Sequence, residues 1–314
     1  MRAGSKVWWA IAWTVLGCAV SSPVGEPCES GADCESGACD SGICVDPDAP
    51  GGGGSGQGGS GTGAGTGTTT TGTTGTGAGG GNLCQPNDDG VITRAEVPIE
   101  VGLSAKFRAA TDVTVDTAGT MMGGARTWDL AVDLPGDHLS LLETQDITST
   151  WFSATFPAAT YAARLSETET LLGVFQVTDE ELSLLGVVSP EDGLTKTELT
   201  YSVPVTVLKF PLEEGATWSD SATVSGLASG VVATYLEEYE STVDARGTLV
   251  TPFAEFDALR VRVELTRWLG GFPTTTRTYV FVTECFGSVA TIVSQANETD
   301  LEFQDAAEVR RLSP

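Results

Sequence analysis

The sequence has little of what most catalytic sites are built from. It contains one histidine among 314 residues. A histidine-based metal cluster is therefore excluded, and a Ser-His-Asp triad would need His138 itself. His138 follows Pro135-Gly136-Asp137, a pattern that predicts an exposed turn. The Gly-x-Ser-x-Gly pattern of a nucleophile elbow does not occur.

Positive charge is also scarce. Lys and Arg number 16 against 42 Asp and Glu, and loss of Arg2 and Lys6 with a leader would bring the net charge from −26 to −28. Such a chain repels phosphate, so nucleic acid is excluded as a partner. Most carboxylates are expected on solvated surfaces, including the pairs Glu180/Glu181, Glu213/Glu214 and Glu237/Glu238.

The N-terminal apolar run is too short to span a bilayer. Arg2 and Lys6 precede Val7 to Leu16, about half of the roughly 20 residues that a spanning helix needs. This order predicts a cleaved secretory signal. Val15-Leu16-Gly17-Cys18 resembles the lipobox of bacterial lipoproteins. The resemblance implies a signal at 1–17, a lipid anchor on Cys18 and an outer-membrane location; the alternative is an ordinary signal with an incidental cysteine.

The remaining cysteines are even in number and predict disulfides in an exported protein. Cys28, Cys34, Cys39 and Cys44 lie in a polar segment, 18–48, that has too few apolar residues for a core, so two bridges are expected to hold it. The run Cys34-Glu-Ser-Gly-Ala-Cys39-Asp-Ser-Gly-Ile-Cys44 resembles the Cys-rich stalks of Gram-negative surface lipoproteins. A zinc site is the alternative. Residues 49–83, rich in Gly and Thr, are predicted to form a disordered tether.

Residues 84–314 carry the hydrophobic patterning of one all-β domain. Leu259 to Thr266 alternates apolar and polar residues, and similar runs with intervening turn signals favour a single antiparallel meander, curved as a half-barrel or closed as a barrel. Asp244-Ala-Arg-Gly247 is predicted to be one of the turns, and Thr178 to Leu184 to allow one short helical turn. Cys84 and Cys285 are expected to form a disulfide, with two separate thiols as the alternative.

A second resemblance concerns the late strands. Gly247-Thr-Leu-Val-Thr-Pro-Phe-Ala-Glu-Phe-Asp-Ala-Leu-Arg-Val261 and the pair around Phe286-Gly287 resemble periplasmic and type IV pilus-associated β-proteins. At the level of the fold, they also resemble lipoprotein carriers. The carrier resemblance implies a curved sheet that cups an acyl chain.

One loop matches part of a calcium-binding template. In Gln85 to Glu96, the third, fifth and twelfth positions are Asn87, Asp89 and Glu96, and glycine occupies the sixth. Weak calcium binding is therefore one interpretation. Gln85 at the first position and the absence of flanking helical patterns favour the other, an Asx-type turn that leads into the first strand.

Together these features predict an outer-membrane lipoprotein, on the periplasmic face or the cell surface, whose β domain is not an enzyme. It is expected to bind an apolar ligand or a protein partner, with no required cofactor. A structural, appendage-associated or adhesive protein is the alternative. A glycan hydrolase that works with two carboxylates is a third reading, although no particular pair is marked.

Overall fold

The computed structural model describes residues 84–314, together with the backbone of two short strands, β1 (Cys39–Asp40) and β2 (Ile43–Cys44). These two strands pair antiparallel, with Cys39 opposite Cys44. The predicted anchor Cys18, the side chains of the four stalk cysteines and the linker 49–83 lie outside the described residues.

Residues 84–314 contain strands and one short 3-10 turn, Arg94–Glu96. The strands are β3 (Val91–Ile92), β4 (Ser104–Thr114), β5 (Thr120–Met122), β6 (Ala125–Asp129), β7 (His138–Glu143), β8 (Tyr161–Arg164), β9 (Leu172–Val177), β10 (Glu181–Val188), β11 (Glu198–Lys209), β12 (Leu212–Glu213), β13 (Thr217–Ala228), β14 (Val231–Val250), β15 (Glu255–Leu269), β16 (Phe272–Thr283), β17 (Gly287–Ser294) and β18 (Asp305–Leu312). The all-β prediction is confirmed. No helix in this part of the chain has the length and apolar character needed to cross a membrane.

The main sheet is nearly closed into a barrel. Its strands run in the order β7-β4-β18-β17-β16-β15-β14-β13-β11-β10-β9-β8. The two ends of this path meet where Gln145, just after β7, forms a bridge with Ala162 in β8. The N–O distances of that bridge are 2.7 and 3.0 Å. β6 departs from the antiparallel pattern and runs parallel to β14.

Alternation along the strands decides which side chains fill the barrel. In β15, Val261, Val263 and Leu265 are at most 5% exposed, whereas the intervening Arg262 and Glu264 are half-buried. Successive strand residues point to opposite faces, so the first set lines the interior. Inward side chains of neighbouring strands, such as Val224 and Tyr239, are also buried. They occupy the lumen as a packed core.

Part of the outer face is also covered. Trp128 of β6 and Phe303, which precedes β18, are at most 2% exposed. Phe303 stacks on Tyr279 of β16, with ring centroids 5.6 Å apart. Arg260 of β15 donates to the carbonyl of Thr117 at 2.6 Å. All eight residues of β17 are buried, as expected for a strand that is covered on both faces and has lost the polar alternation.

Two sequence expectations about this sheet were wrong. The segment predicted as a turn, Asp244–Gly247, lies inside the 20-residue strand β14. The pairing with β15 shifts its register between Val243 and Ala245, as at a β-bulge, and the strand continues beyond this point. Thr178 to Leu184 forms no helical turn but a bend that leads into β10.

The barrel has two distinct ends along β14, β15 and β16. Cys84 and Cys285 form the predicted disulfide, with Cα atoms 5.3 Å apart, and Cys285 lies in the turn between β16 and β17. The β14–β15 connection lies at this same end, which we call the disulfide end. The tips of the β13–β14 and β15–β16 hairpins, Ser229-Gly230 and Gly270-Gly271, lie at the other end of these strands. We call it the hairpin end.

Candidate functional site

An open cleft at the disulfide end brings together three segments that are far apart in sequence. They are the chain after Cys84, the β14–β15 connection with the start of β15, and the β16–β17 turn. The cleft has a volume of about 430 Å³. It is lined by Pro86, Asp88, Gly90, Ile92, Arg246, Phe253, Ala254, Glu255, Phe256, Asp257, Ala258, Leu259, Thr283, Glu284 and Phe286.

The apolar wall of the cleft consists of three phenylalanines. Phe253 and Phe256 are nearly parallel, with centroids 6.4 Å apart. Phe286 packs edge-on against Phe256 at 5.1 Å. Phe253 is 43% exposed, whereas Phe256 is buried. Phe256 and the partly buried Phe286 therefore hold Phe253 in place while part of its surface faces solvent.

The polar rim is organised around Arg246. Its Nε donates to both oxygens of Asp257, at 3.2 and 3.1 Å, and its Nη2 donates to the carbonyl of Asp88 at 3.1 Å. The hydrogen bond with Asp257 raises the pKa of Arg246, so the guanidinium is charged at any physiological pH. Gly90 has a φ of +85°, and a Cβ there would lie 2.1 Å from Arg246 Nη1. Glycine thus permits the arginine to cross the loop.

The loop on one side of the cleft is fastened to the β16–β17 turn. Besides the disulfide, the Glu284 carboxylate accepts from the backbone N–H of Asn87 at 2.5 Å. The N–H of Cys285 donates to the carbonyl of Glu96 at 2.8 Å. Glu284 is buried at this contact. These bonds fix the position of the loop relative to the aromatic wall.

The residues of the calcium interpretation lie in this loop, and their oxygens bond within it. Asn87 Oδ1 accepts from the N–H of Asp89 at 2.9 Å, and Asp89 Oδ1 from the N–H of Val91 at 2.8 Å. Glu96 accepts from Asn87 Nδ2 at 2.8 Å and from the N–H of Thr93 at 2.7 Å. This is the Asx-type turn that the sequence left as the alternative. No group of three or more His, Cys, Asp or Glu side chains within 84–314 is arranged to hold a metal ion. Calcium binding stays a prediction.

His138 is exposed, in line with its expected surface position, and begins β7. Its Nε2 lies 3.5 Å from Glu167 Oε2. Ser140 donates its hydroxyl to the other oxygen of Glu167 at 2.7 Å. Ser140 thus donates to the carboxylate and not to the imidazole of His138. A serine nucleophile activated by this histidine would need to donate its hydroxyl to the imidazole.

One carboxylate expected on a solvated surface is buried. Glu237 is 0% exposed and faces the barrel interior. It accepts from Tyr201 Oη at 2.9 Å, from Arg267 Nε at 2.7 Å, and from Tyr239 Oη. Burial raises the pKa values of both tyrosines well above the ordinary value, so they remain neutral donors. In the sequence, Glu237 is two residues from both Tyr235 and Tyr239. Alternation along a strand places all three side chains on the same face, which is the inward one.

The cleft itself was not predicted. Phe253 and Phe256 belong to the segment that carried the second resemblance, and their i, i+3 spacing around Ala254-Glu255 was the available signal. No protein-family model, curated protein or solved structure matches this chain.

Proposed function

We propose that this protein is an exported, lipid-anchored binding protein that holds its ligand in the aromatic cleft at the disulfide end of the barrel, and not in the packed lumen. The observation that supports this best is the contrast between the barrel lumen and the cleft. Large side chains fill the lumen, whereas the cleft is open and has a partly exposed phenylalanine held by two others. Ligand sites are concave and largely apolar, with a few placed polar groups.

The charges around the cleft favour a cationic ligand group. Asp88, Glu255, Asp257 and Glu284 line it together with a single arginine, Arg246, which is already paired with Asp257. A guanidinium or ammonium group within about 6 Å of an aromatic ring gains a cation–π contact. The exposed face of Phe253 offers that contact beside carboxylates. An arginine or lysine side chain of a partner, or a small organic cation, fits this chemistry.

The packed lumen also bears on the carrier interpretation, in which an acyl chain lies inside a curved sheet. Inward residues such as Val263 and Tyr239 are at most 3% exposed. This favours the structural or adhesive alternative over an internal apolar guest. The structural or adhesive alternative predicts that no ligand binds in the cleft, whereas our proposal predicts that one does.

The proposal is tested with the full-length protein and a labelled peptide, Gly-Ser-Arg-Ser-Gly, with citrulline replacing arginine in the matched control. We expect saturable binding of the arginine peptide and about tenfold weaker binding after Phe253→Ala. Phe272→Ala, which removes an exposed phenylalanine at the hairpin end, is the control variant. Equal binding of the citrulline peptide, or equal losses in both variants, contradicts the proposal. Recovery of lipid from the native protein in organic solvent would favour the carrier.

A further inference from the structure

At the hairpin end, the first residues of β14 form an open strand edge. β13 pairs with β14 along Val231 to Thr242, but the β14–β15 ladder begins only at Leu236, opposite Trp268. Among the strands that the structure describes, the residues of β14 before Leu236 therefore have a partner on one side only. In a sheet, such an edge presents alternate backbone N–H and C=O groups to whatever lies beside it.

This edge lacks the devices by which natural sheets avoid strand addition. Its sequence is Val231-Val-Ala-Thr-Tyr235, which holds no Lys, no Pro and no register shift against β13. β-branched and aromatic residues of this kind have high strand propensity. The segment is therefore well suited to accept another strand.

The neighbouring open edge at the same end provides an internal contrast. In β16, the ladder with β17 begins at Thr278, so within residues 84–314 no strand pairs with the preceding residues on that side. There, however, Pro273 removes a donor. Asn297 covers the backbone, with its N–H bonding the Thr275 carbonyl at 2.7 Å and its Oδ1 accepting from the Thr275 N–H at 3.2 Å. One edge is protected and the other is not.

Exposed apolar side chains surround the unprotected edge. Val231 and Val232 are 69% and 81% exposed, and Leu269 and Phe272, beside the tip of the next hairpin, are 61% and 79% exposed. Leu269 and Phe272 are directly opposite one another across the β15–β16 hairpin. A strand laid beside Val231–Tyr235 would continue the line of β15 and meet these side chains at its end.

The charge near this edge indicates which polypeptide fits. On the outer face of the same strands, a shallow groove is lined by Glu238, Glu240 and Glu264. Glu240 and Glu264 are cross-strand neighbours. Lys196, whose carbonyl accepts from the N–H of Gly230, is paired with Asp192 and Glu198, so its charge is compensated. The surroundings therefore repel an acidic strand and attract a basic one.

We propose that Val231–Tyr235 is a docking edge that accepts, by strand addition, an extended segment of another polypeptide with alternating β-branched and polar residues and flanking lysines or arginines. Backbone hydrogen bonds would supply most of the affinity, and contacts with Val231, Val232 and Phe272 would set the preference for apolar side chains. A second copy of this chain fits poorly, because each copy carries the acidic groove and a net charge of −26. This inference is independent of the cleft at the other end.

The test uses the full-length protein and a fluorescein-labelled peptide of about nine residues, Lys-Lys-Thr-Val-Thr-Val-Thr-Lys-Lys. One comparison peptide has N-methyl groups on alternate residues, which remove backbone donors while retaining side chains and charge. Another has glutamate in place of lysine. Fluorescence anisotropy should show saturable binding of the first peptide and at least about tenfold weaker binding of both others.

Side-chain variants locate the binding. Val231→Ser with Val232→Ser should weaken binding of the lysine peptide about tenfold. The matched control, Val132→Ser with Leu139→Ser, removes two exposed apolar side chains elsewhere and should leave it unchanged. Near-ultraviolet circular dichroism checks that each variant keeps the fold. Phe253→Ala, which tests the cleft, should also leave this binding unchanged.

Four results would overturn the proposal. They are absence of saturable binding, equal affinity for the N-methylated peptide, equal loss in the control variant, and a concentration-dependent dimer that Val232→Ser abolishes. The last would assign the edge to a second copy of the chain.

Discussion

Tyr201 Oη donates a 2.9 Å hydrogen bond to a carboxylate of Glu237 in the barrel interior. The two residues lie on β11 and β14, which are separated by β13 in the sheet. Arg267 of β15 binds the same carboxylate. One buried charge thus joins three strands. Its stabilising effect rests on a complete set of partners, since a buried ion left without one is strongly unfavourable.

We therefore expect Glu237→Ala to lower the free energy of unfolding by about 3–5 kcal/mol, because the largely buried Arg267 guanidinium loses the carboxylate with which it is paired. Urea denaturation followed by circular dichroism measures this. Glu240→Ala, on the exposed face of the same strand, is the control and should change stability by less than about 0.5 kcal/mol. Similar losses in the two variants would contradict the role assigned to Glu237.

Glu167 predicts a dependence of stability on pH. Burial opposes its ionisation, but the hydrogen bond from Ser140 and the charges of Arg310 and Arg164 outweigh it and lower the pKa below the ordinary 4.5. A depressed folded-state pKa stabilises the protein above the unfolded value, and the contribution is lost as the pH falls through the folded value. Thermal unfolding between pH 7 and pH 3 should show a shallower decline for Glu167→Gln than for the wild type. An unchanged slope would show that Glu167 does not titrate as described.

The Cys84–Cys285 bridge closes a loop with a sequence separation of 201. The chain-entropy model gives a stabilisation of about 5 kcal/mol for a loop of this length. Cys84→Ser with Cys285→Ser should therefore have a clearly lower midpoint in urea than the wild type under oxidising conditions. In dithiothreitol the two proteins should become similar. A variant as stable as the oxidised wild type would indicate that noncovalent contacts alone hold the loop.

The lipid anchor is tested directly on the native protein. Mass spectrometry should find diacylglycerol on Cys18 as the N-terminal residue, as the resemblance to the lipobox implies, and Cys18→Ala should yield a form released from membranes. An unmodified N-terminus beyond residue 18 would refute the prediction.

The alternation of apolar and polar residues in the sequence predicted most strands of the barrel wall. Leu259 to Thr266, for example, forms the middle of β15. β18 was missed, because Glu308, Arg310 and Arg311 break the apolar pattern although all three are at most 5% exposed. Arg310 and Glu308 form an ion pair with a 2.6 Å distance inside the fold. A sequence shows the charges of such residues but not the partners that allow their burial.

The cleft was harder to predict for a different reason. Phe253 and Phe256 are close in sequence, but Phe286 joins them only because the β15–β16 register places the β16–β17 turn beside the start of β15. The loop from Cys84 completes the cleft through long-range bonds such as that between Asn87 and Glu284. The register of paired strands follows from the hydrophobic pattern of the whole sheet. A single segment of sequence therefore does not show that these three phenylalanines come into contact.

The disulfide also determines how the domain would bear a mechanical load. A pull on the chain before Cys84 reaches Cys285 through the S–S bond and passes directly into β16 and β17, so the loop 86–99 carries little of it. A partner held at the hairpin end would pull in the opposite direction, about 36 Å away along β16. Force would then act parallel to the strands and perpendicular to their hydrogen bonds. The ladders would be loaded in shear, with many bonds sharing the force, rather than being unzipped one pair at a time.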